Sequence, residues 1–114
     1  MNISYTVTVY NELEELKILL PLLQQSKQNG DEIIIVHTYR QEEEQETDLD
    51  KSIQSLCKNV ADQYTRYHFD KKFATMKNFT NSLATKDYII NFDADEFAST
   101  ETINIWRKTI NPNN

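Results

Sequence analysis

Ile3, Tyr5, Val7 and Val9 alternate with Ser4, Thr6, Thr8 and Tyr10 at the start of the chain. A period of two predicts a strand. Past Asn11-Glu12 the period lengthens, and Leu13, Leu16, Leu20 and Leu23, with Leu19 and Leu22 beside them, trace a helical stripe. Asn11 is the expected N-cap, and Glu12, Glu14 and Glu15 suit the positive end of the helix dipole. Pro21 falls inside this stripe, and its missing N–H predicts a kink or an early stop. Gln28-Asn29-Gly30-Asp31 reads as a turn. Ile33-Ile34-Ile35-Val36 then runs without alternation, the pattern of a strand buried on both faces of a parallel sheet.

Thr38 to Asp50 is polar and acidic and reads as a mobile loop running into a helix start. Ile53, Leu56, Cys57, Val60 and Ala61 mark an amphipathic helix. Tyr64 to Phe69 is a short aromatic segment of strand type. Phe73, Met76, Thr80, Leu83 and Ala84 predict another helix, with Asp70 as its cap. Tyr88-Ile89-Ile90-Asn91-Phe92 is a second strand of buried type, ending in Asp93-Ala94-Asp95-Glu96, and a last helix is expected over Glu101 to Ile110. Strand and helix alternate throughout. That order predicts an α/β fold: an open, mostly parallel sheet of about four strands flanked by helices. With no internal repeat and no linker, residues 1–114 are expected to form one domain.

Composition narrows the function. The chain is 39% hydrophobic and 26% charged, which places it among globular rather than disordered sequences. A net charge of −6 argues against a nucleic-acid partner or an anionic membrane surface. No apolar run approaches the ~20 residues of a membrane span. Met1-Asn2-Ile3-Ser4 has no basic signal-peptide start, and Cys57, the single cysteine, has no internal disulfide partner, so a cytoplasmic setting is the default expectation. Gly30 is the only glycine. That excludes both phosphate loops that need glycines at fixed offsets, GxGxxG and GxxxxGK[ST].

Ligands of open α/β sheets bind beyond the carboxyl ends of the strands. Asp93 and Asp95 stand two residues apart past a hydrophobic strand, so an extended chain projects both carboxylates to one side. A hard divalent cation, Mn²⁺ or Mg²⁺, suits that pair; a solvated acidic turn is the plainer alternative. From Arg66 to Lys77 four basic residues, Arg66, Lys71, Lys72 and Lys77, face one acidic residue, Asp70. A basic segment near an acidic metal site suits a diphosphate, and it equally suits a solvated surface. Tyr10 and Glu12 could stack on a base and accept from a ribose hydroxyl, or serve as a core-edge tyrosine and a helix-start glutamate. His37 ends a strand, where it either faces the ligand crevice or packs. His68 reads as structural and Cys57 as a buried, inert thiol.

Taken in order, these pieces resemble the family 2 glycosyltransferases with the GT-A fold, from about Ile3 to Phe97. Thr8-Val9-Tyr10-Asn11-Glu12 is similar to that family's first strand exit, and Glu32-Ile33-Ile34-Ile35-Val36 to its second strand. Phe73-Ala74-Thr75-Met76-Lys77-Asn78, followed by Ala84 to Glu96, resembles its helix and the strand that ends in the Asp-Ala-Asp metal motif. The resemblance implies a Rossmann-like, nucleotide-binding half of the GT-A fold and transfer of a sugar from a nucleotide-diphospho-sugar, a UDP-sugar foremost. Tyr10 and Glu12 would line the base and ribose pocket, Lys77 would approach the nucleotide, Asp93 would face the ribose or the metal shell, and Asp95 would ligate Mn²⁺ or Mg²⁺. The exit His37-Thr38-Tyr39-Arg40 lacks the aspartate with which the family reads the base. In the family the acceptor half and the catalytic base follow the metal motif. Here the chain ends about twenty residues beyond Asp95, with no obvious carboxylate for the base beyond Glu101. Two readings therefore stand: a glycosyltransferase domain, and a non-catalytic nucleotide-binding or interaction module. A DxD after a strand also opens phosphatases of the haloacid dehalogenase type, but those carry Thr or Val where this chain has Phe97. Without further sheet beside it, the Tyr88–Phe92 strand is expected either to be covered by the last helix or to pair with a second copy or another chain.

Overall fold

The computed structural model describes residues 2–95 and Ile103. In chain order the elements are β1 (Ile3–Val9), α1 (Leu13–Ser26), β2 (Glu32–Tyr39), a 3-10 turn (Glu42–Glu46), α2 (Asp48–Val60), β3 (Gln63–His68), α3 (Phe73–Ser82) and β4 (Tyr88–Asp93). All four strands are parallel, in the order β3-β2-β1-β4. The alternation of periods thus gives the α/β sheet expected from the sequence. The chain moves outward from β1 to β2 to β3, then returns to the other side of β1 with β4. This reversal is the switch point at which such sheets open a crevice.

The register assigns each residue a face. Tyr5 pairs with Ile33 and Ile90, and Val7 with Ile35 and Phe92. These side chains form one aliphatic core with Leu16, Leu19, Leu20 and Leu23 of α1 and Ile53 and Cys57 of α2. The opposite face carries α3. Met76 and Thr80 of α3 are buried there, and Phe79 stacks at 4.8 Å on Tyr67 of β3. On this face β1 presents Ser4 and Thr6, which are buried as fully as the aliphatic residues opposite. Their hydroxyls are satisfied: Ser4 donates to Glu32 Oε2 at 2.6 Å, and Thr6 to the side-chain oxygen of Asn91. Buried hydroxyls cost free energy unless paired, so β1 tolerates its polar face because neighbouring strands supply acceptors.

Several local expectations shift. Leu13–Ser26 runs through Pro21 without stopping. Pro21 and Lys17, whose carbonyl loses its helical partner, are both exposed, so that oxygen can reach water. Glu12, not Asn11, occupies the N-cap of α1. The Thr38–Asp50 stretch is not a loose loop. β2 continues to Tyr39, the acidic run winds into the 3-10 turn, and α2 begins at Asp48 with Thr47 Oγ1 accepting from Asp50 N at 3.2 Å. Asp70 does not cap α3; Lys72 holds that position, and Asp70 Oδ1 accepts from its N–H at 3.2 Å. β4 buries Phe92 and half-buries Tyr88 and Ile90, but it is a sheet edge among the described residues and leaves Ile89 40% exposed. The helix expected over 101–110 lies outside the described residues except for Ile103, which is buried in the aliphatic core.

The turn before β2 requires its glycine. Gly30 has φ +96°, and a Cβ there would lie 2.7 Å from the Asn2 side chain. Beside it, Asp31 Oδ1 accepts from Ile3 N at 2.9 Å and Oδ2 from Gln28 N at 2.9 Å, so the turn is tied to the start of β1. Asn2 can swing away, whereas the backbone angle cannot relax. Gly30→Ala is therefore expected to lower stability by about 1–2 kcal/mol, read from the denaturant midpoint. An unchanged midpoint would contradict the assigned conformation.

Candidate functional site

The carboxyl ends of β1, β2 and β4 and the start of α3 surround a cleft of about 330 Å³. β1 contributes Thr8 and its exit residues Tyr10, Asn11 and Glu12; β2 contributes Thr38 and the following Arg40; Phe69 follows β3. Phe73, Met76 and Lys77 come from α3, and Asp93 and Asp95 from the exit of β4. The cleft lies on the α3 face of the sheet, at the switch point between β1 and β4.

Its acidic wall is set by strand pairing. Asp93 is in register with Thr8, and the ladder continues one residue further, with Ala94 N donating to Thr8 O at 2.9 Å. Ala94 is buried in the aliphatic core while Asp93 and Asp95 on either side are exposed. Burial of the middle residue turns both carboxylates toward the cleft, as the i, i+2 spacing predicts. Lys77 lies on the same cavity wall as Met76, one helix position along.

The other end is aromatic and cationic. The Arg40 guanidinium stands 4.6 Å from the centre of the Tyr10 ring and 5.7 Å from that of Phe69, both within cation–π range. The Tyr10 hydroxyl donates to Glu44 Oε2. The other oxygen of that carboxylate accepts from Arg40 N at 2.8 Å and Gln41 N at 2.6 Å. These bonds hold the Glu44 carboxyl below its usual range, the tyrosine bond most of all, and push the Tyr10 phenol up. Glu12 Oε2 accepts from Asn11 N at 2.7 Å and Tyr10 N at 3.2 Å, fixing the turn that leads from β1 into α1.

Of the residues expected at the site, Tyr10, Glu12, Lys77, Asp93 and Asp95 come together in this cleft. His37 does not. It pairs in register with Val9, which puts it on the α1/α2 face of the sheet, away from Thr38 and the cleft. There it is fully buried, with Nδ1 2.6 Å from the Tyr64 hydroxyl and Nε2 3.4 Å from Asp50 Oδ2. Arg66 also leaves the basic set. It forms a two-pronged pair with Asp50 at 2.7 and 2.8 Å beside His37. Lys71 and Lys72 are exposed outside the cleft, and Lys71 has φ +71° at the entry to α3. Cys57 is buried, and burial pushes its thiol up to about 12, as expected of an inert core cysteine. Sequence reasoning missed Arg40, Phe69, Phe73 and Met76. A phase count carried one residue past β2 would have found Arg40, two positions beyond Thr38.

Asp93 and Asp95 offer hard oxygen donors on one wall. Among the described residues, no third His, Cys, Asp or Glu joins them in a metal-holding group. Two carboxylates with space beside them fit an ion that completes its shell with water and phosphate oxygens, as Mg²⁺ and Mn²⁺ do.

The fold is similar to that of the crystal structure of S. aureus TarS 1–349, with a TM-score of 0.68 and 19% sequence identity, covering 98% of this chain and 33% of that one. The likeness shows a glycosyltransferase-like fold with an all-parallel four-stranded sheet flanked by helices. This chain spans about a third of the length of the TarS chain. No protein-family model and no curated protein matches the sequence. No helix among the described residues is long and apolar enough to cross a membrane.

The buried histidine has a measurable consequence. Burial first, then the Arg66 charge, pushes His37 down to about 4 against the opposing pull of Asp50. Between that value and the ordinary 6.5 the unfolded chain takes up a proton that the folded chain refuses. Stability is therefore full above pH 6.5 and falls with acidification, by about 2 kcal/mol from pH 7.5 to pH 5. Urea unfolding across this range should show the slope, and His37→Gln should flatten it. A variant with the wild-type slope would remove His37 as its source.

Proposed function

We propose that this domain binds a nucleotide-diphospho-sugar through a divalent cation at Asp93 and Asp95, as the donor-binding part of a glycosyl transfer. The observation that carries the reading is the convergence of Tyr10, Glu12, Lys77, Asp93 and Asp95 on one cleft at the switch point of a glycosyltransferase-like sheet. Asp95 and Asp93 would hold Mn²⁺ or Mg²⁺. Lys77, on the same cavity lining, would sit beside the diphosphate and offset part of its charge. Glu12, already anchored through one oxygen to two backbone N–H groups, would present the other to a ribose hydroxyl. Tyr10 would form one wall of the base pocket, its orientation fixed by Glu44.

When bound, the cation supplies Lewis-acid stabilisation of the charge that grows on the departing diphosphate. The chain's own contribution is placement: β1 and β4 hold the two cleft walls at a fixed inter-strand spacing, and α3 covers the side with Met76 and Phe73. The likeness to TarS supports the glycosyltransferase-like fold on which this reading rests.

Titration calorimetry with nucleoside diphosphates and their sugars, in Mn²⁺ and in EDTA, tests the reading. The expected result is metal-dependent binding that weakens at least about tenfold in Asp95→Ala. No binding of any nucleotide, or binding indifferent to both metal and Asp95, refutes it. Metal-dependent binding with neither sugar transfer nor donor hydrolysis would assign the domain as a binding module rather than an enzyme.

A further inference from the structure

Resting on that donor-binding reading, we infer that Arg40 selects the base of the nucleotide, favouring one with two adjacent hydrogen-bond acceptors, guanine or cytosine, over uracil or adenine. The position of Arg40 in the cleft is the starting point. The groups proposed to hold the metal and diphosphate lie at the β4 exit and on α3, whereas Arg40 follows β2. In the order β3-β2-β1-β4 the β2 and β4 exits are separated by β1, two inter-strand steps or about 10 Å. A ribose sets a comparable separation between the diphosphate and base of a nucleotide. The Arg40 end is also the aromatic end, with Tyr10 and Phe69 around the guanidinium. A flat, apolar-faced ring fits there better than a second phosphate.

The side chain is prepared for a fork-like contact. Its backbone is fixed on both sides: Arg40 N donates to Glu44 at 2.8 Å, and Arg40 O lies 3.1 Å from His68 Nε2. The two rings limit where the guanidinium can go, yet Arg40 remains exposed, and among the described residues it forms no ion pair. A guanidinium has donors only, arranged as a planar fork. It matches the N7/O6 edge of guanine and the N3/O2 edge of cytosine with two parallel bonds. Uracil alternates acceptor and donor around its ring, and adenine sets its amino donor beside N1 and N7 and leaves N3 without an adjacent acceptor on the same edge, so neither offers the fork a matching pair. The departure from the uridine base expected by family resemblance follows from the residue itself: a donor stands at this strand exit in place of a carboxylate acceptor.

The test compares GDP, CDP, UDP, ADP and inorganic pyrophosphate by calorimetry in Mn²⁺, on the full chain and on Arg40→Gln and Arg40→Lys. GDP or CDP is expected to bind at least about tenfold more tightly than UDP and ADP, and the GDP-versus-CDP arm identifies which. Arg40→Gln should erase that preference while leaving pyrophosphate affinity unchanged, which also shows that the variant is folded. Arg40→Lys, a point charge without the fork, should not restore it. Base-indifferent binding, tightest binding of UDP or ADP, or an equal loss of pyrophosphate and all nucleotides in Arg40→Gln would overturn the inference. Metal-dependent but base-indifferent binding leaves the donor-binding reading intact. Failure of every nucleotide to bind ends both.

Discussion

The pairing of β1 with β4 is the interaction on which the rest of this molecule depends. It joins segments at opposite ends of the described chain, with Ile3 opposite Tyr88 and Thr8 opposite Asp93, and extends by one bond from Ala94 N to Thr8 O. Without it, the Tyr10–Glu12 exit and the Asp93–Asp95 exit would not share a cleft. It also closes the aliphatic core, since Phe92 and Ala94 pack with Val7, Val9 and α1 only when β4 lies beside β1. One ladder therefore serves both packing and the site. Parallel pairing over so long a loop is also entropically expensive to form, and contacts so distant in sequence slow folding as a class.

A second constraint is the phase of each strand. A side chain's face is decided by whether its position is odd or even, and a slip of one residue would exchange the two sets. On β2, this separates His37, buried beside the Asp50–Arg66 pair on the α1/α2 side, from Thr38 and Arg40 at the cleft. A titratable group and a cleft-facing group occupy neighbouring positions yet experience opposite environments. The Asp50–Arg66 pair beside His37 draws on the same logic: the Asp50 carboxylate is buried, the Arg66 guanidinium is partly covered, and their two-pronged geometry offsets the desolvation.

Much of this was legible in the residues. The period-two run at Ile3–Val9 and the unbroken run at Ile33–Val36 mark the two central strands, and the DxD spacing correctly places Asp93 and Asp95 on one side of the chain. Strand order was not legible, because a βαβ sequence says that strands are parallel and not which of them touch. For that reason the switch point and the Thr8–Asp93 register emerge only from the structure. The Thr38–Asp50 stretch was misread because its carboxylates look like solvent decoration. Glu44 instead bonds the chain to itself at Arg40 and Gln41 and to Tyr10. His37 reads as a site residue because it stands at a strand exit, and Arg66 because it opens the basic run that reaches Lys77. Their true partner, Asp50, lies on a helix whose first turn the hydrophobic periodicity did not reach. Arg40 was passed over because a single arginine after a strand carries no motif.

The one glycine at the turn before β2 also tells of the chain before it folds. An average domain of this length would hold roughly eight glycines, each widening the range of shapes open to the denatured chain. With only Gly30, the denatured ensemble is narrower, and each missing glycine lowers the entropy surrendered on folding by about 0.4–1 kcal/mol. That head start lets a small sheet carry features that a more supple chain would find harder to sustain. Among them are the hydroxyl-lined underside of β1, the ion pair beside a buried histidine, and the left-handed lysine at the entry to α3.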